Sequence, residues 1–144
     1  FAIGGSMGKT KQEMVTMLTK TLPYLPPHLP NHLLGIADIE SLTHCVPLGI
    51  DTFDSSYPTK AARHGTLFTE QGNLKITRGI YSNKLEPIEK DCPCHTCQNY
   101  TLAYLHHLFK AKEVTALSLA SIHNLHFMVT LMENYRQKII DNII

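Results

Sequence analysis

Gly49-Ile50-Asp51-Thr52-Phe53-Asp54 is the stretch that decides how the first part of this chain folds. A glycine stop signal precedes a short run of strand formers, and a carboxylate closes it, so residues 50–54 read as a β-strand. Behind it, Asp38 caps a predicted helix over residues 38–48, with Ile39, Leu42 and Val46 on one face. Leu33-Leu34-Gly35-Ile36 is a second short buried strand, and Pro23, Pro26, Pro27 and Pro30 force an extended connector ahead of it. Earlier still, Met14, Met17, Leu18 and Leu22 keep a helical spacing over residues 9–22. Ala2-Ile3-Gly4-Gly5 is a first strand opening into a tight loop, which Ser6-Met7-Gly8 continues. Strand, helix, strand, helix, strand thus alternate across residues 2–54. That rhythm predicts an α/β fold with parallel strands joined by crossover helices, and chemistry where the strands end. Gly4-Gly5 and Asp54 occupy such ends.

Beyond Asp54 the rhythm breaks. Residues 55–65 read as a loop carrying Lys60, Arg63 and His64. Thr66-Leu67-Phe68-Thr69 and Asn73-Leu74-Lys75-Ile76-Thr77 flank Glu70-Gln71-Gly72, a hairpin signal. Two helices close the chain. One runs over residues 100–111 with Leu102, Leu105, Leu108 and Phe109; the other covers residues 114–140 with Leu117, Ile122, Leu125, Met128, Met132, Tyr135 and Ile139.

With 144 residues there is room for one domain and a real core. Only 17% of the residues are charged, which suits a piece that hides much of its surface in something larger. The net charge of +1 excludes a global field for nucleic acid, so any cationic contact must be local. There is no unbroken run of about 18 apolar residues, so no transmembrane helix and no membrane partner is predicted, and a cytoplasmic location is expected. The first residues, Phe1-Ala2-Ile3, are neither a signal peptide nor an initiator methionine, and the numbering is expected to begin inside a longer protein.

Three of the 4 cysteines, Cys92, Cys94 and Cys97, fall in Cys92-Pro93-Cys94-His95-Thr96-Cys97. A Cys-x-Cys pair is too tight for easy bridging, so the cluster reads as metal ligands rather than disulfides. Three thiolates need a fourth ligand, and His95, His106, His107, His123 and His126 are all available. His95 lies within the loop and reaches round to the ion with difficulty, whereas His123 and His126 share one helical face. Four protein ligands leave no open position, so a zinc held there would be structural. Cys45, on an apolar helical face, reads as a core residue.

Asp54 is a nucleophile, a general acid/base or a plain turn former; Asp51 faces the other way or begins the strand. Lys60, Arg63 and His64, with Lys75 and Arg78, are either phosphate clamps or a solvated surface. Gly4 and Gly5 let backbone amides approach a planar ligand.

In this order, several motifs resemble the C-terminal part of the tRNA-guanine transglycosylases, the queuine tRNA-ribosyltransferases. They are Ala2-Ile3-Gly4-Gly5; Gly49-Ile50-Asp51-Thr52-Phe53-Asp54; Pro58-Thr59-Lys60-Ala61-Ala62-Arg63-His64-Gly65; the Cys92, Cys94, Cys97 cluster; Ala103-Tyr104-Leu105-His106-His107-Leu108; and His123-Asn124-Leu125-His126. The likeness covers nearly the whole chain. It implies the C-terminal portion of a (β/α)8 TIM barrel with an inserted zinc-binding subdomain. Residues 1–65 would be the last β/α units with the nucleophile loop, residues 66–112 the zinc-binding hairpin and helix insertion, and residues 113–144 the C-terminal helix. The implied reaction exchanges the wobble guanine of tRNA for a 7-deazaguanine, either queuine or its 7-aminomethyl precursor. Asp54 would be the nucleophile that attacks the ribose C1′ and holds the tRNA covalently, much as a retaining glycosidase does. Gly4, Gly5, Leu34 and Gly35 would bind the base, and Lys60 and Arg63 the anticodon loop. Cys92, Cys94, Cys97 and His123 would hold one structural Zn2+, and the whole protein would be a homodimer.

The chain departs from this pattern at Ser6-Met7-Gly8-Lys9. Bacterial members usually carry a glutamate there, in a loop one residue longer, and that glutamate helps to recognise the cationic aminomethyl group. Lys9 repels that group, so queuine is the expected substrate base. Lys60 stands for a frequent arginine, Leu34 for a methionine and Ser55 for a cysteine; none removes the chemistry. The family's general acid/base aspartate lies ahead of Phe1, so the 144 residues alone are not expected to catalyse exchange. Two other classes compete: a non-catalytic accessory subunit, and a zinc-stabilised tRNA-binding fragment. An accessory subunit has no need of Asp54 or of the loop with Lys60 and Arg63.

Overall fold

The computed structural model describes residues 1–5 and 7–144; Ser6, in the loop predicted after Gly5, lies outside the described residues. The chain divides into two compact units, Phe1–Tyr57 with Asn142–Ile144, and Pro58–Asp141.

The first unit holds β1 (Ala2–Ile3), α1 (Lys11–Thr21), β2 (His32–Leu33), α2 (Ile39–Cys45) and β3 (Thr52–Phe53). The strands lie side by side in the order β1-β2-β3, all parallel. The predicted alternation is therefore two successive βαβ crossovers. The ladders are shorter than the predicted strands. Gly35 leaves β2 in a left-handed conformation at φ 74°, and Asp51 N–H turns to the Asn31 carbonyl, 2.9 Å away. Both helices begin at side-chain caps. Thr10 Oγ1 accepts Glu13 N–H at 3.2 Å, and Asp38 Oδ1 accepts Ser41 N–H at 3.1 Å and the Lys11 ammonium at 2.8 Å. Pro23 ends α1 in a single 3-10 turn, Leu22–Tyr24.

Register sorts the side chains. Ile3, Leu33 and Phe53 pair in one row and pack with Met14, Leu18, Cys45 and Ile50. Cys45 is thus a core residue, as expected. Ala2, His32 and Thr52 form the other row, where Ala2 and Thr52 are exposed and His32 is partly so. Parallel sheets are normally covered on both faces.

The second unit starts inside α3 (Tyr57–Arg63) and continues through a hairpin, β4 (Thr66–Leu67) and β5 (Leu74–Lys75), to α4 (His95–Asn99), α5 (Leu102–Ala111) and α6 (Val114–Ile140). Helix α3 corrects the loop expected over residues 55–65. Pro58 sits in the first turn, where its missing N–H costs no hydrogen bond. Ala61 and Ala62 favour helix, and Ala62 is fully buried. Cys97 also lies on a helix rather than a loop: Cys94 caps α4, with Cys97 N–H 3.4 Å from its Sγ.

Helix α6 is long and apolar enough to cross a bilayer by length and composition, although the sequence has no unbroken run of about 18 apolar residues. Its inward residues, Ala116, Leu119, Ala120, His123, Asn124 and Met128, are buried in the protein. They pack it against α4, α5 and β4. The polar atoms of His123 and Asn124 all have protein partners, as in a core helix.

Candidate functional site

Two groups of predicted residues come together, one in each unit. In the first, the strand ends gather Gly4, Leu34, Gly35 and Asp54. A Cβ on Gly4 would sit 2.7 Å from Leu34 Cδ1, so only glycine fits beside that side chain as it stands. Leu34 N–H donates to Ile3 O at 2.8 Å, which holds the two loops in step. Gly35 N–H reaches Asp54 Oδ1 at 3.1 Å, and His32 Nε2 reaches the same oxygen at 3.0 Å. The Gly35 amide, with His32 second, holds the Asp54 carboxyl below the usual carboxylate range, so this exposed group is ionised at neutral pH. Gly5 adopts φ 93° at the end of β1, another conformation that favours glycine. Asp51 has a structural task, with Oδ2 accepting Asn31 N–H at 2.7 Å.

The second group is the thiol cluster. His123 Nδ1 lies 3.8, 3.6 and 3.4 Å from the Sγ atoms of Cys92, Cys94 and Cys97, and the four atoms all fall within 4.8 Å of one another. Sulfur at 2.3 Å and nitrogen near 2.05 Å on a tetrahedral zinc give an S–N edge of about 3.6 Å. His123 Nε2–H donates to Phe68 O at 2.8 Å, which frees Nδ1 to face the sulfurs. Burial pushes His123 down, keeping it neutral, and pushes the Cys92 and Cys97 thiols up. Three thiolates in such surroundings need a cation among them, so the donor set fits a metal. Among the imidazoles weighed from sequence, only His123 is in the cluster. His106 Nδ1 instead meets Ile76 O at 2.7 Å, and His95 Nδ1 faces the Asn99 amide at 3.3 Å.

The sequence profile described as Queuine tRNA-ribosyltransferase matches residues 1–143. The chain belongs to the queuine tRNA-ribosyltransferase family. Proteins named queuine tRNA-ribosyltransferase align along essentially all of it. The one from Protochlamydia amoebophila (strain UWE25) is 61% identical over 144 residues, which are 100% of this chain and 37% of that protein. That of Chlamydia caviae is 50% identical over 143 residues, 99% of this chain and 38% of the relative. That of Natranaerobius thermophilus is 43% identical over 143 residues, 99% and 39% respectively. The chain therefore spans well under half the length of these curated relatives.

Within this family member, Lys60 and Arg63 lie on the exposed side of α3 and form no ion pair among the described residues. Lys75 is engaged differently. Its ammonium binds the His64 carbonyl and lies 3.3 Å from Thr66 Oγ1, tying β5 to the end of α3.

Sequence reasoning gave no role to Asn124, although it stands next to His123 inside a helix. It is fully buried: Oδ1 accepts Phe68 N–H at 3.0 Å, while Nδ2 donates to Pro58 O at 3.1 Å and Thr66 O at 2.9 Å. Asn124 thus fastens α3 and the hairpin to α6. Asn124→Ala removes three hydrogen bonds from the interior and is expected to lower stability by about 3 kcal/mol, read from the denaturant midpoint. His32 was also passed over, because it precedes the strand that the sequence outlined.

Proposed function

We propose that this chain is the C-terminal catalytic portion of a tRNA-guanine transglycosylase. The protein would exchange the wobble guanine of tRNA for queuine through a covalent aspartyl-ribose intermediate. The observation that carries the reading is Asp54, ionised and oriented by two donors at the carboxyl end of β3, beside Gly4, Leu34 and Gly35. An accessory subunit would have no use for such an arrangement. Asp54 would attack C1′; Gly4, Gly5, Leu34 and Gly35 would line the base; Lys60 and Arg63 would meet anticodon phosphates. The uncovered row Ala2, His32, Thr52 supports closure of the sheet into a TIM barrel by strands ahead of Phe1. The general acid/base would come from that part too, so the 144 residues alone would be inactive. The metal would be one structural Zn2+, cross-linking α4 to α6. The full-length enzyme would be a cytoplasmic homodimer.

The test is incorporation of labelled guanine into tRNA with a wobble guanine. The full-length protein is expected to incorporate label and the 144-residue piece none; no incorporation by the full-length protein sinks the reading. Base choice gives a second prediction. Lys9 in the loop after Gly5 would repel an aminomethyl cation, so queuine is expected to be exchanged at least about tenfold more efficiently than 7-aminomethyl-7-deazaguanine. Competition between the two bases decides this, and a preference for the aminomethyl base refutes it.

A further inference from the structure

A carboxylate nucleophile has two oxygens, and here they are held unequally. Oδ1 of Asp54 accepts from Gly35 N–H at 3.1 Å and from His32 Nε2 at 3.0 Å. Among the described residues, Oδ2 accepts no hydrogen bond. On the far side of the imidazole, His32 Nδ1 lies 2.8 Å from Thr52 Oγ1. Strand register produces this chain of contacts: His32 of β2 pairs with Thr52 of β3, and Asp54 follows Thr52 by one full strand period, on the same face. A carboxylate only accepts, so the ring proton sits on Nε2. In the neutral ring Nδ1 then accepts, and the Thr52 hydroxyl supplies the proton that selects this tautomer.

We propose that His32 is a positioning residue for the nucleophile: with Gly35 N–H it pins Oδ1, turns Oδ2 toward the ribose, and makes Asp54 a good leaving group when the covalent intermediate is resolved. The proposal rests on the reading of Asp54 as nucleophile.

The chemistry shows where the effect should fall. In the first step an Oδ2–C1′ bond forms as the C1′–N9 bond breaks. Guanine leaves with that electron pair and takes a proton from the enzyme's general acid. The carboxylate is now an ester, with Oδ1 as its carbonyl oxygen. In the second step N9 of the incoming base attacks C1′ and gives its proton to the same group, now acting as base. The Oδ2–C1′ pair returns to the carboxylate. Charge resides on Oδ1 before and after the ester, and much less within it. A donor on Oδ1 therefore stabilises the free carboxylate over the ester. It favours departure of Asp54 and disfavours attack, while the orientation it imposes aids both steps. In attack the two influences oppose; in release they act together. Removing the donor should trap the ester.

The test uses the full-length enzyme with an anticodon stem-loop, following formation of a denaturation-resistant adduct and its decay after a chase with queuine. His32→Phe is expected to form adduct within about threefold of the native rate and to release it about tenfold more slowly. His32→Gln, whose amide N–H can reach Oδ1, is expected to restore release to within about threefold. Thr52→Val keeps the ring but frees its tautomer, and should slow release about threefold; it also carries the test if the aromatic ring disturbs the sheet. Equal slowing of both steps by His32→Phe, or release unchanged in both His32→Phe and Thr52→Val, overturns the proposal. An adduct that survives Asp54→Asn overturns the assignment of the nucleophile itself. Absence of that adduct together with native release in the His32 and Thr52 variants overturns only the role of His32.

Discussion

Replacing Asp54 by asparagine is expected to abolish the covalent adduct and to lower guanine exchange by about 10^4-fold or more. The substitution conserves shape and removes the proposed nucleophile. Gly35 N–H and His32 Nε2–H both demand an acceptor, so the amide of asparagine should place its oxygen at the Oδ1 position. Its nitrogen then occupies the position of Oδ2, and an amide nitrogen does not attack C1′. Asp54 is exposed, so the fold should tolerate the change and thermal stability should hardly move. The measurement is adduct yield on denaturing gels beside exchange of labelled guanine. Adduct in Asp54→Asn would assign the attack to another group. A pH dependence follows with a definite sign. The Gly35 amide and His32 lower the folded-state value of Asp54. Their contribution is therefore fully present above the ordinary aspartate value of about 3.9 and disappears as pH falls through the lowered one. The acid limb of adduct formation that belongs to Asp54 should lie below about pH 3.9.

Removing the metal is the second large perturbation. Cys92, Cys94 and Cys97 belong to the same buried cluster as Leu67, Ile76, Leu102, Leu105, Leu119 and Ala120. The ion would thus sit inside the core of the Pro58–Asp141 unit, joining the segment before α5 to α6. A closed Cys3His site of this kind couples about 10–16 kcal/mol of binding to folding. A strong chelator is therefore expected to unfold this unit, beginning with residues 90–125. Hydrogen exchange would show that loss of protection, alongside metal analysis giving one zinc per chain before treatment. Cys94→Ala should reproduce it, since it removes a ligand and the cap of α4 together. Metal-free protein with native protection over residues 90–125 would remove zinc from the account of stability.

Much of this organisation is legible in the chain because it is local. The apolar spacing of residues 114 to about 140 outlines α6, and the Gly72 turn between two runs of strand formers becomes the hairpin. The thiol cluster points to a metal because three cysteines fall within six residues. Misreadings arose where one residue type has two meanings. Residues 55–65 read as a loop because Pro58 is a common loop residue, yet in a first turn proline favours α3. Strand lengths were overestimated because apolar runs do not report where a glycine such as Gly35 turns the chain out of the ladder.

By itself, then, the sequence determined the βαβ rhythm, the carboxylate at a strand end, the thiol cluster and the family to which they point, a resemblance that already singled out His123. Only the tertiary structure decided the partners. His123 meets the thiols with Nδ1 because its Nε2–H donates to the Phe68 carbonyl, a group far away along the chain. His32 and Gly35 converge on one oxygen of Asp54 because parallel pairing sets β2 beside β3 in a single register. Asn124 binds Pro58, Thr66 and Phe68 because packing brings α6 onto the hairpin. Such partners lie far apart along the chain, and local periodicity carries no information about which distant groups will meet once apolar faces are buried.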